Sequence, residues 1–184
     1  MNGSVLEGRL CWDGRVPIQW RVLDRLPDEA QLARAEERNV ALLNALALIE
    51  EGTPRADEPS PLVAQMERLE AKFDLVLTLL TEVVLPDAMA PRAVAVRLCS
   101  RGMAFEVAYP AEAGSMVELS MHLSASLPRP LMLYGAVLEP LPGEEAHVAV
   151  EFQHLGPAVK ERLERLVFRR HRRSIAQQRP QVAK

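Results

Sequence analysis

Between Leu62 and Val83 the apolar residues Leu62, Met66, Leu69, Phe73, Val76, Leu80 and Val83 recur in alternating steps of four and three, the spacing of a heptad seam along an α-helix. Gln65, Glu67, Arg68, Glu70, Lys72 and Asp74 fill the remaining positions and suit a face turned to water. Upstream, at about Glu29–Glu51, Leu32, Ala35, Asn39, Leu42, Leu46 and Ile49 repeat the pattern. Between the two, Gly52–Pro61 combines a glycine, three prolines and scattered charges, which reads as the loop of an antiparallel helical hairpin. Each seam would then cover the other. Leu43, Leu77, Val84 and Leu85 widen the apolar surface beyond one narrow stripe, so the helices are also expected to join copies of the chain. Asn39 is either a buried amide that fixes register at that seam or an exposed one.

Outside this region the period changes from about 3.5 to two. Gly8–Leu23 holds a polar stretch, Trp12-Asp13-Gly14-Arg15, that reads as a turn, followed by alternating Val16, Ile18 and Trp20. Ala93–Leu98 and Gly102–Ala108 flank Cys99–Arg101 as two further strands, and Met116–Leu123, Pro130–Leu138 and Ala146–Leu155 complete the set. Pro110–Gly114 and Pro140–Glu144 supply turns. Connections this short favour antiparallel pairing in a meander or small closed barrel, because parallel strands need crossover helices. From Pro157 to about Arg172 the helical period returns, with Val159, Leu163, Leu166 and Val167 on one side. The expected organisation is an α+β fold: residues 1–28 begin the barrel, 29–86 form a helical oligomerisation insertion, 87–173 complete the barrel and its terminal helix, and 174–184 form a flexible basic tail.

Composition narrows the function. No apolar run reaches the eighteen or more residues of a membrane span, and Met1–Leu10 lacks the basic-then-apolar order of a signal peptide. A cytoplasmic protein without membrane insertion is expected. Cys11 and Cys99 are far apart and too few for a disulfide scaffold, which predicts buried free thiols. Residues 1–157 carry 13 Lys and Arg against 23 Asp and Glu, whereas 158–184 carry 9 against 2. The basic end lacks interleaved aromatic residues that would stack bases, so no nucleic-acid partner is expected. Phosphate-loop, nucleophile-elbow and zinc-protease motifs are missing, and His122, His147, His154 and His171 have no second ligand at short spacing. The sequence therefore predicts no enzyme, no metal site and no cofactor.

The segment Val96-Arg97-Leu98-Cys99-Ser100-Arg101-Gly102-Met103-Ala104-Phe105 resembles the strand-turn-strand motif of PilZ domains, a bacterial family associated with cyclic di-GMP recognition. Val148-Ala149-Val150-Glu151-Phe152, followed by Leu163–Arg170, resembles that family's last strand and terminal helix. The long helices after the first strand are similar to those of its atypical, tetramer-forming group. The resemblance implies a six-stranded barrel, an appended helical assembly module and a homotetramer, whereas periodicity alone leaves dimer and tetramer open. The family's usual ligand signature is Arg-x-x-x-Arg ahead of the first strand and Asp/Asn-x-Ser-x-x-Gly later. Here the later positions are Arg97, Cys99 and Gly102, and Arg15 stands four residues after Cys11 rather than after an arginine. Arg21 and Arg25 have the spacing, but only once the first strand has begun.

Taken together, the resemblance implies a non-enzymatic signalling or adaptor protein of a cyclic di-GMP pathway, self-associating and carrying a degenerate ligand site, with a further signalling protein as a candidate partner. Arg15, Arg21, Arg25, Arg97 and Gly102 are the ligand-site candidates, and Arg169 with Arg170 form a second basic candidate at the terminal helix. Two alternatives stand beside this reading: a ligand-independent interaction module, and a direct cyclic di-GMP receptor using a different basic site.

Overall fold

The computed structural model describes residues 10–51, 61–84, 91–140 and 147–178. Six strands close into one barrel in the order β1-β2-β3-β6-β5-β4, every neighbouring pair antiparallel. They are β1 (Cys11–Val22), β2 (Ala93–Cys99), β3 (Gly102–Glu106), β4 (Met116–Met121), β5 (Leu131–Val137) and β6 (His147–Gln153). Helices α1 (Glu29–Glu51) and α2 (Pro61–Val84) are inserted between β1 and β2, and α3 (Pro157–Gln178) ends the described chain. Alternation sets the inside of the barrel: Val117, Leu119 and Met121 of β4 and Leu131, Leu133 and Val137 of β5 are buried, while the residues between them are partly exposed. Val159, Leu163, Leu166 and Val167 of α3 join the same core.

β1 is a single long strand. Cys11–Pro17 pair with β2 and Ile18–Val22 pair with β4, so one strand bridges two neighbours and closes the barrel. The turn expected at Trp12–Arg15 is therefore not there. Asp-Gly is a turn signal in isolation, but Gly14 occupies mid-strand because the Trp12 ring lies over it, where a Cβ would collide with the ring. The cysteines differ from expectation too: Cys11 and Cys99 face each other in the β1–β2 ladder and form a disulfide. Register brings together two residues that the intervening insertion keeps far apart in sequence.

Helix α1 begins at a reciprocal cap, with the Gln31 N–H donating to Asp28 Oδ1 at 2.7 Å and the Asp28 N–H donating to Gln31 Oε1 at 2.9 Å. Its apolar stripe is covered from within the chain, by α3 and β5. Asn39 is 4% exposed, Leu42 9% and Leu46 1%, so these three are core residues, not the hairpin or intersubunit seam that heptad spacing suggested; Leu32 is half-buried and Ile49 exposed. Asn39 Nδ2 donates to the Met132 carbonyl at 2.6 Å and its Oδ1 accepts from the Met132 N–H at 3.0 Å. That buried amide fixes the position of α1 along strand β5. On the other flank, Arg162 Nε of α3 donates to Asn44 Oδ1 at 2.7 Å.

The α2 stripe has the opposite fate. Met66, Leu69, Phe73, Val76, Leu80 and Val83 are 50% to 78% exposed. Leu62 belongs to α2 by its backbone, its side chain lying outside the described residues. Helix α3 runs on to Gln178, past the limit of 173 expected from sequence. The expected loops at 52–60 and 141–144, and the tail from 179, lie outside the described residues.

Candidate functional site

A row of outward-facing residues crosses three strands at one end of the barrel. Strand register pairs Arg21 of β1 with Glu118 of β4, and Glu118 with Tyr134 of β5. Arg21 donates through Nε at 2.8 Å and Nη2 at 3.3 Å to the two Glu118 oxygens, which holds its guanidinium above the ordinary arginine range. Burial first, and then the neighbouring Glu118 carboxylate, push the Tyr134 phenol above its usual value and keep it protonated. Against this row stand the link from Val22 to Pro27 and one face of α1, with Gln31, Arg34, Ala35 and Arg38. The result is a groove of about 630 Å³ lined by Arg21, Arg25, Arg34 and Arg38.

Arg21 and Arg25 thus share a site, and two further arginines join them. Arg34 and Arg38 repeat the four-residue spacing of Arg21 and Arg25, a signal present in the sequence. The other candidates lie elsewhere. Arg15 Nη2 donates to the Ala93 carbonyl at 2.8 Å, and Arg97 Nε is held by Asp13 Oδ1 at 2.8 Å on the β1–β2 face. Gly102 opens β3 and is buried. Beside it, Leu10, Ser100, Glu164, Arg165, Val167 and Phe168 line a second cavity of about 480 Å³ with a largely apolar character.

Arg169 and Arg170 are engaged within the chain. Arg170 Nε is 2.9 Å and Arg169 Nε 3.5 Å from the Glu50 carboxylate at the end of α1. Arg170 also donates to the Leu123 carbonyl at 2.6 Å and stacks over the Trp12 ring, 4.7 Å from its centroid. Arg173 donates to the Glu50 carbonyl. The densest basic cluster in the sequence is therefore an internal brace joining α3, α1 and β1, and the basic surface expected of Arg169 and Arg170 is largely absorbed by it. Among the described residues no group of three or more His, Cys, Asp or Glu could hold a metal ion, and no described helix is long and apolar enough to cross a membrane.

The model of the family described as "atypical PilZ domain, cyclic di-GMP receptor" matches residues 43–180, three quarters of the chain. The chain belongs to the atypical PilZ family. The fold agrees with that membership along nearly its whole length: a crystal structure of a pathogenic protein from Xanthomonas campestris, described as a tetrameric PilZ domain self-assembled via an unusual helical bundle, is similar at 27% identity and a TM-score of 0.72, covering 95% of each chain. No curated protein matches. This PilZ chain is accordingly a non-catalytic signalling module, with α1 and α2 as the insertion that elaborates its barrel.

Proposed function

We propose that this PilZ protein is a cytoplasmic adaptor of cyclic di-GMP-linked regulation that assembles as a homotetramer through α2 and lacks the usual ligand contacts of its family. The uncovered stripe of α2 carries the reading. Six large apolar side chains from Met66 to Val83 stand half or more exposed on one helix, although the comparable stripe of α1 is buried by its own chain, and a helical bundle between copies is the economical way to remove them from water. The tetrameric helical bundle of the Xanthomonas campestris protein supports the stoichiometry.

The usual ligand positions support the second half. Where the signature has an acidic or amide group, Arg97 is engaged by Asp13. Where it has a serine hydroxyl, Cys99 is fully buried and bonded to Cys11. Buried at that position, Cys99 is out of a ligand's reach in either redox state, and even as a thiol it is only a weak donor. Light scattering on the full chain tests the assembly: a tetramer mass is expected, and replacing Phe73 and Val76 together with Asp should release subunits, because the buried charges cost several kcal/mol. A monomeric wild-type protein would refute the reading. The ligand half is tested separately, by the effect of Arg15→Ala and Arg97→Ala on cyclic di-GMP titration, which is expected to be nil.

A further inference from the structure

We propose that the Cys11–Cys99 pair is a thiol-exchange site of the folded barrel, at which a dithiol reductant attacks the Cys11 sulfur, and that its redox state sets one wall of the apolar cavity beside α3. It rests on the cytoplasmic reading above only for the compartment that supplies the reductant. The bond is not needed to shut the barrel. Cys11 and Cys99 are the terminal pair of a ladder whose other partners run from Trp12 to Pro17 on the β1 side, and Val16, Val96 and Leu98 of the same two strands already belong to the core. Disulfides substitute for a core in small domains that lack one, whereas in a reducing compartment of a mesophile those that form are usually transient and redox-sensing.

The two sulfurs are unequally placed. Cys99 is fully buried, whereas Cys11 is half-buried and the residue before it, Leu10, is 44% exposed. Exchange depends on which sulfur an incoming thiolate can reach, and that sulfur is Cys11. The thiolate bonds to Cys11 Sγ, the electron pair of the S–S bond leaves on Cys99 Sγ, and that sulfur takes up a proton. The second thiol of the dithiol then displaces Cys11 as a thiol and closes a cyclic disulfide, so the protein gains two electrons and two protons and the dithiol loses them. Both ends of the bond adjoin something that can move. Leu10 and Ser100, the chain neighbours of the two half-cystines, line the cavity of about 480 Å³ together with Val167 and Phe168 of α3. Without the bond the terminal pair can fray, as element ends with few covering contacts do. Trp12 follows Cys11, and its ring lies over Gly14 and beneath the Arg170 guanidinium that reaches Glu50, so a shift of the β1 end changes its surroundings.

The test treats the oxidised full chain with dithiothreitol, alkylates the thiols released and maps them by mass spectrometry. Reduction is expected in the folded protein, at a rate proportional to the dithiol concentration and unchanged by urea below the unfolding transition. A rate that rises with urea in step with global unfolding would make the bond a closed structural staple and overturn the site. The chain has two tryptophans, so Trp20→Phe leaves Trp12 as the sole emitter; its emission should shift on reduction and return when oxidised glutathione restores the bond. Amide exchange at residues 10–12 should quicken on reduction while that of β4 stays unchanged. Constant Trp12 emission with unaltered exchange at 10–12 would overturn the link to the cavity wall. Single-cysteine variants identify the sulfur attacked: incubated with oxidised glutathione, Cys99→Ala should carry an adduct on Cys11, and Cys11→Ala should carry none on Cys99. An adduct on Cys99 alone refutes the assignment. All readouts come from the purified chain, so failure of exchange leaves the adaptor reading standing, and a monomeric mass by light scattering refutes the assembly without touching exchange at Cys11.

Discussion

Glu50 shows how a single side chain can redirect an entire basic cluster. Its carboxylate is about 10% exposed and faces two guanidinium groups that are themselves mostly covered. Removing one partner of such a pair leaves uncompensated buried charge, so Glu50→Ala should destabilise the fold by about 3 kcal/mol, measured by urea denaturation; a change below 0.5 kcal/mol would place the brace in solvent. His122 offers a second test. Burial lowers the pKa of its imidazole, so between that folded value and about 6.5 the unfolded chain binds more protons than the native one. Stability contributed by neutral His122 is then complete above about pH 6.5 and declines as pH falls below it. Melting temperatures from pH 7.5 to 5.5 should show that decline, and His122→Gln should flatten it.

At the scale of the elements, periodicity located the helices and, apart from the Trp12–Arg15 stretch of β1, the strands among the described residues, but could not identify what covers each one. Spacing of three and four in α1 states that one face is apolar; whether α2, β5 or α3 meets that face is decided by tertiary geometry. Asn39 illustrates the limit, since its position in the stripe is visible in the sequence and its partner, a backbone peptide of a strand 93 residues away, is not. The Trp12–Arg15 misreading has the same origin: an Asp-Gly pair carries local turn propensity, and only the ring of Trp12 over Gly14 explains the glycine in mid-strand. The groove was half legible. Arg21 and Arg25 stand out by spacing, whereas Arg34 and Arg38 become neighbours of them only when the cap at Asp28 turns the chain back along the barrel. Asn39→Ala should cost about 2 kcal/mol, because it leaves both polar groups of Met132 without their amide partner. Equal loss in hydrogen-exchange protection at the N-terminal half of α1 and at β5 is expected, and unchanged protection in β5 would show that the amide does not anchor the helix.

For the whole molecule, the consequential bond is the one between Cys11 and Cys99, which joins the strands on either side of the helical insertion across 88 residues of sequence. Chain-entropy accounting gives a closed loop of that length about 4.6 kcal/mol of stabilisation, by restricting the unfolded chain. In a reducing compartment the pair would be thiols, and the barrel would then close on its β1–β2 ladder and core alone. Air-oxidised protein should therefore yield a linked Cys11–Cys99 peptide pair on non-reducing mapping, and its melting temperature should drop on the order of 10 °C after reduction. Because the insertion hangs between the two cysteines, and the α2 stripe is exposed, reduction should leave the oligomer mass unchanged. Dissociation on reduction would mean that the staple holds the helices in their assembling position, and would tie the barrel's closure to subunit association.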